Sequence, residues 1–196
     1  MALEVLSLSG NDFDEAVHDL ARLRITVFRE WPYLYDGDLE YEKRYLERFR
    51  NADRAFLAVA RDGDRIVGAA TAAPLAGEVE EFRAPFVDAG YDLTSIFYFA
   101  ESLLLPSWRG QGVGNRFFDL REAHARSFGE YGLAAFCAVI RPPDHPERPD
   151  TYTPLDGFWR KRGYEPVRNM QTHFSWKDVG VAQETPKPMQ FWMGRL

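Results

Sequence analysis

The stretch Pro106-Ser107-Trp108-Arg109-Gly110-Gln111-Gly112-Val113-Gly114 limits what this chain can fold into more than any other. Leu103-Leu104-Leu105 lead into it, and an amphipathic run, Asn115-Arg116-Phe117-Phe118-Asp119-Leu120-Arg121-Glu122-Ala123, leads out. Strand, glycine turn, helix is an arrangement that builds an anion site. The first amides of a helix have no intrahelical partner and can point at a phosphate. Gly110, Gly112 and Gly114 remove side chains that would hold a phosphate away, and Arg109 adds a fork-shaped cation. The pattern points to capture of a diphosphate-bearing ligand. A P-loop is excluded, because no Lys-Ser or Lys-Thr pair follows the glycines. A dinucleotide fingerprint fits poorly, because the third glycine comes one residue early.

The 196 residues suit a single domain with a substantial core, read here as 1–196, with a core over about 3–176 and a tail over 177–196 that packs on the sheet or extends it. A net charge of −6 argues against a nucleic-acid partner. Cys137 is the only cysteine, which rules out an internal disulfide and fits a cytoplasmic setting. The start Met1-Ala2-Leu3-Glu4-Val5 lacks signal-peptide character, and no apolar run reaches membrane-spanning length, so no membrane partner is expected.

Periodicity predicts a strand over Leu3–Leu8, a helix from Asn11 or Asp12 to Glu30, and a second helix over Leu39–Phe49. Phe56–Ala60 and Ile66–Ala72 read as a hairpin turned at Asp62-Gly63-Asp64. A helix is expected over Glu78–Ala89, a strand over Ser95–Leu105, a helix over Gly112–Phe128 and a buried strand over Leu133–Ile140. A proline-rich loop, Arg141–Pro154, then precedes a short helix over Leu155–Arg162 and strands near Tyr164–Val167 and Gln171–Trp176. Met189–Met193 suits an edge strand or packing arm.

The run Arg109-Gly110-Gln111-Gly112-Val113-Gly114, with Pro106 three residues before the arginine, resembles the acyl-CoA pyrophosphate loop of the GNAT N-acetyltransferase superfamily. The element order matches that layout over nearly the whole chain. The resemblance implies an α/β (α+β) fold with a mixed, mostly antiparallel central sheet flanked by helices. It also implies an acyltransferase that moves an acetyl or other short acyl group from acetyl-CoA directly to a small-molecule or peptide amine. No metal is called for. A non-catalytic acyl-CoA-binding module of the same fold is the alternative, and a homodimer is left open. Cofactor contacts map to the strand Leu103, Leu104 and Leu105, to Arg109, and to the loop amides of Gly110, Gln111, Gly112, Val113, Gly114 and Asn115.

Transfer to an amine needs a base, since the nucleophile must be neutral. Glu101 is the first candidate: it sits in an apolar strand, where desolvation strengthens a carboxylate as a base. The alternatives for Glu101 are a structural salt bridge or an outward-facing strand position. The family often places an acidic tyrosine at the second position of a Phe-Tyr-x-x-x-Gly-Phe pattern. Here that run is Phe158-Trp159-Arg160-Lys161-Arg162-Gly163-Tyr164, so Trp159, which cannot donate a proton, occupies the place. Tyr152 and His145 from the proline-rich loop are the substitutes considered, with Tyr164 and Cys137 assigned to the core. The loop between the first two helices would form one wall of the acceptor site. Tyr33 and Tyr35 could embrace an amine there, with Asp36 as counter-charge; the alternative is a tight turn with its aromatics folded onto the core. Arg141 opens the loop at the opposite edge and is the fourth acceptor-site candidate.

Overall fold

The computed structural model describes residues 3–9 and 11–196; Met1, Ala2 and Gly10 lie outside the described residues. The strands are β1 (Leu3–Leu8), β2 (Phe56–Asp62), β3 (Arg65–Pro74), β4 (Ile96–Leu104), β5 (Leu133–Val139), β6 (Glu165–Lys177) and β7 (Glu184–Arg195). The helices are α1 (Asn11–Phe28), α2 (Leu39–Arg50), α3 (Glu80–Asp88), α4 (Val113–Arg126) and α5 (Asp156–Lys161). The capping role expected of Asn11 rests on a side chain outside those described. Asp38 caps α2 by accepting from the Tyr41 amide at 2.9 Å.

The strands form one seven-stranded sheet in the order β1-β2-β3-β4-β5-β7-β6. Every pairing is antiparallel except β4 with β5. Alternation sends Ala58, Ala60, Phe97 and Phe99 to one face, where they pack with Phe117 and Phe118 of α4. Leu57, Val59, Ala69 and Leu103 face the other way, against Leu20 of α1 and Leu46 of α2. Further along that second face, Phe86 of α3 joins Tyr98, Ala135 and Phe191.

Two expectations change. The C-terminal segment is neither an edge nor an arm: β7 lies between β5 and β6, pairing with both. Its central residues, Phe191 and Trp192, are buried on opposite faces, which suits an interior strand. The segment after 176 thus extends the sheet from within, and β7 runs to Arg195. The two strands expected after α5 are one, β6, whose register shifts between Pro166 and Gln171, with Asn169 at φ 59°. The shift replaces a turn because both halves pair with the same partner strand.

Candidate acyl-CoA and acceptor site

β4 and β5 pair only at Ile96↔Leu133, Phe97↔Ala134 and Tyr98↔Ala135. Both strands continue, β4 to Leu104 and β5 to Val139, without further pairing between them. A β-bulge marks the parting point. Thr71 faces Glu101 and Ala73 faces Tyr98, so Phe99 and Ala100 together oppose Ala72. A bulge bends its strand and breaks the ladder, and here it opens a cleft between parallel strands. Ligands of open sheets favour such a crevice at the carboxyl ends of the strands.

The glycine stretch closes the top of this cleft. A short 3-10 turn, Pro106–Trp108, leaves β4, and α4 starts at Val113 with Gly112 as its cap, at φ 82° and ψ −4°. Gly110 is also left-handed, at φ 76°. The first amide of the helix bound to a carbonyl is that of Arg116, on Gly112 O at 3.2 Å. Those before it, from Gln111 to Asn115, crowd at the helix N-terminus, where the macrodipole favours negative charge. A Cβ added at Gly110 or Gly112 would meet nothing within 4 Å, so the space over these amides is open. The residues fit a pyrophosphate. Arg109 leans back, donating to Leu104 O at 3.1 Å and to Glu30 at 2.8 Å, and its side chain is half exposed.

Of the three strand residues expected at the cofactor, only Leu104 turns its backbone away from β3. The Leu105 amide donates to Val67 O at 2.9 Å, which turns its backbone toward β3. Strand alternation then turns Leu103 the same way and leaves Ser102 and Leu104 facing the cleft. Ser102, absent from the expected set, is exposed at this edge. Its parity became legible only once the bulge and the β3 register were known.

Glu101 lies just past the bulge, on the face covered by α1 and α2. Its carboxylate meets Arg24 of α1, and the Arg24 Nε meets Glu42 of α2. Glu42 is fully buried and Arg24 is 6% exposed. Arg24 also lies over the Tyr45 ring, 4.1 Å from its centroid. Glu101 Oε2 is buried with no hydrogen-bond partner among the described residues. The sequence carried a signal for Arg24 and Glu42. Arg24 falls on the apolar stripe of α1 with Phe13, Leu20 and Val27, and Glu42 on that of α2 with Leu39, Leu46 and Phe49. A charge at an apolar phase of a helix calls for a buried partner.

The loop expected to form the acceptor wall is held from both sides. Arg141 at the end of β5 donates to Pro32 O at 2.9 Å and Tyr33 O at 2.6 Å, and pairs with Asp178 of the β6–β7 turn. Trp176 Nε1 donates to Tyr33 O at 2.9 Å. Tyr35 bridges Asp178, and Val179 N reaches Leu34 O at 2.7 Å. Arg141 thus has its donors engaged in fixing the wall. Burial raises the Asp178 carboxyl, but Arg141 and Lys187 more than offset this and hold it below the usual carboxylate range.

The expected acceptor residues meet different neighbours. The Tyr33 ring packs between Phe28, at 4.7 Å, and Trp176, at 5.9 Å. Its phenol is raised by burial and lies near Cys137, Tyr152 and the backbone of Val139. The Tyr35 phenol is raised by burial and turns toward Glu42. Asp36 already has counter-charges, Lys177 at 2.7 Å and Arg29 at 3.3 Å, and these hold its carboxyl low.

His145 and Tyr152 are brought together by Trp31, whose ring lies 5.1 Å from the imidazole and 5.9 Å from the phenol ring. His145 Nδ1 accepts the Glu147 amide at 3.2 Å, leaving Nε2 to carry the proton of the neutral ring. Trp159 packs against Phe136 and Trp192 at 5.1 and 4.9 Å. Tyr164 is buried and donates to Glu122 at 3.0 Å. Cys137 is half buried, 3.0 Å from the Tyr98 hydroxyl, and burial pushes its thiol up to about 12. Among the described residues, no group of three or more His, Cys, Asp or Glu side chains is placed to hold a metal ion.

Known structures share this architecture. A ribosomal-protein-alanine N-acetyltransferase from Brucella melitensis superposes with a TM-score of 0.62 at 16% identity, over 98% of this chain and 99% of that one. An aminoglycoside 6'-N-acetyltransferase complexed with coenzyme A gives 0.63 at 15% identity, over 98% and 96%. An acetyltransferase from Thermus thermophilus gives 0.58 at 16% identity, over 100% and 98%. At these identities the likeness speaks for the fold. No curated protein matches the sequence. The model of the acetyltransferase (GNAT) family matches residues 20–148, more than half of the chain. That span takes in the parted strands, the glycine loop, Glu101 and the acceptor wall up to Arg148. With sheet order, cleft and family model in agreement, the chain belongs to the GNAT acetyltransferase family.

Proposed function

We propose that this protein transfers an acetyl group from acetyl-CoA directly to a primary amine. The observation that carries the reading is the cleft itself. β4 parts from β5 beside a helix N-terminus with open amides, and Glu101 lies just past the parting point on the face covered by α1 and α2. Gln111 to Asn115 would hold the pyrophosphate, and the cleft-facing backbone of Ser102 and Leu104 would pair with the pantetheine amides. Acetyl-CoA supplies the activated carbonyl. The chain supplies position, exclusion of water and proton handling.

Glu101 Oε2, without a hydrogen-bond partner among the described residues, is the base in this reading, while Oε1 is fixed by Arg24. The ion pair sets the direction of the carboxylate. The acceptor would enter between the Tyr33–Asp36 wall and the His145–Tyr152 loop. Tyr152, beside Tyr33 and Trp31, is the candidate proton donor to the departing thiolate, with His145 second. The seat of Trp159 in the aromatic core favours a second reading, an acyl-CoA-binding module without turnover.

The test is free-thiol release from acetyl-CoA across a panel of polyamines, amino acids, aminoglycosides and peptide N-termini, with calorimetric titration of acetyl-CoA alongside. Amine-dependent thiol release supports transfer. Binding with no turnover on any amine supports the module, and no binding removes both.

A further inference from the structure

Arg121 is the largest fully buried side chain among the described residues, at 1% exposure, and it lies outside the chemistry assigned above. It projects from the second half of α4, the helix whose N-terminus forms the anion site. Its Nε donates to Phe117 O, one turn back, at 3.2 Å. Its Nη1 reaches the sheet and donates to the carbonyl of Glu101 at 3.0 Å. The guanidinium is sandwiched by Phe99 and Phe118, 4.5 and 4.7 Å from their centroids. Nη2 is buried with no partner among the described residues. Burial pulls the group down to about 9, so it remains a cation at neutral pH.

An ordinary core does not need this arrangement. A buried guanidinium with carbonyl acceptors and an orphan N–H is costly, and an apolar side chain of similar volume is usually tolerated at least as well. What only the arginine fork can do is bind the helix and the strand together at the bulge. The carbonyl it grips belongs to the residue whose carboxylate, on the opposite face of the sheet, is fixed by Arg24. Glu101 is thereby pinned by a cation on each face, one through its backbone and one through its side chain.

We infer that Arg121 is a positioning residue for the transfer reaction, holding the Glu101 backbone at the bulge so that the carboxylate and the cleft-facing edge of β4 stay in register with α4. The inference rests on the reading of Glu101 as base. It differs from a packing role in what it predicts. A misplacement of the base by a fraction of an ångström slows the chemical step on the order of tenfold or more. It leaves the pyrophosphate amides, a full turn and more away along α4, unchanged.

Arg121→Met and Arg121→Lys test it, with kcat, the calorimetric Kd for coenzyme A and the thermal midpoint measured on each. The expected result is kcat lower by about tenfold or more in Arg121→Met, partly restored in Arg121→Lys, with Kd for coenzyme A within about twofold of wild type. If the methionine variant does not fold, the lysine variant decides alone: a wild-type kcat there overturns the inference. A folded Arg121→Met enzyme with wild-type kcat also overturns it. A cycle with Glu101→Gln separates the two readings. Positioning through Glu101 predicts that adding Arg121→Lys to Glu101→Gln costs little more, whereas fully multiplicative losses sink the inference and leave the base standing. A Glu101→Gln enzyme as active as wild type would sink both.

Discussion

Arg141 and Asp178 meet fork to fork, with Nη1 2.9 Å from Oδ2 and Nη2 2.8 Å from Oδ1. The same guanidinium holds the carbonyls of Pro32 and Tyr33, so one residue ties together three segments distant in sequence, the proposed acceptor wall among them. Asp178→Asn removes the charge while keeping the shape. It is expected to lower stability by about 3 kcal/mol in chemical denaturation, since Arg141 is left buried without its counter-ion. It is also expected to raise the acceptor KM more than the acetyl-CoA KM. The pH dependence has a definite sign. Asp178 is held below its ordinary value, so its contribution is present above the unfolded carboxylate value of about 4 and is lost as pH falls through the lower folded value. The acid limb of the wild-type stability curve should therefore be steeper than that of Asp178→Asn.

Gly112 is left-handed, and the space beside it is open. Gly112→Asp brings both backbone strain, about 1 kcal/mol, and a carboxylate onto the anion site. Loss of detectable coenzyme A binding by calorimetry is expected, with a small change in thermal midpoint. Unchanged affinity would place the pyrophosphate elsewhere.

Glu101→Gln should fold, because the amide still offers an oxygen to Arg24. Its kcat is expected to fall by about a hundredfold, the lower range for loss of a general base, with coenzyme A affinity retained. Equal activity at all pH values would remove Glu101 as the base.

Tyr33 is wedged between Phe28 and Trp176, so its ring and its hydroxyl can be tested separately. Tyr33→Phe is expected to keep stability within about 0.5 kcal/mol, whereas Tyr33→Ala should lose about 3 kcal/mol and raise the acceptor KM. A changed KM in Tyr33→Phe would bring the hydroxyl itself into acceptor contact.

Trp159 stands where the family often has an acidic tyrosine, but its indole packs on Phe136 and Trp192. Trp159→Phe should cost about 1 kcal/mol of stability and leave kcat within about twofold of wild type. A large fall in kcat would mean that the indole takes part in the reaction.

The glycine loop was legible because its spacing is local. Left-handed glycines and a helix start are written within a few residues, and neighbours cannot move them far. The hairpin and the long helices were legible for the same reason, each having its own period. Arg24 and Glu42 were visible only as charges at apolar phases. Their partnership with Glu101 joins α1, α2 and β4, and no local rule supplies it. Arg121 is similar: on paper it belongs to an amphipathic helix, and in the fold it reaches through to the Glu101 carbonyl.

By itself the sequence determined the order of most of the elements, the glycine turn at the start of α4 and the family pattern, since these follow from short-range backbone preferences and hydrophobic period. The tertiary structure alone decided three further things. It put β7 between β5 and β6, because a strand buried on both faces has no water for its backbone groups and pairs them only with a strand at each edge. It set which β4 amides face the cleft, because a one-residue bulge reverses strand parity. And it paired Glu101 with Arg24, because a buried carboxylate is tolerated only where long-range packing delivers a cation to it.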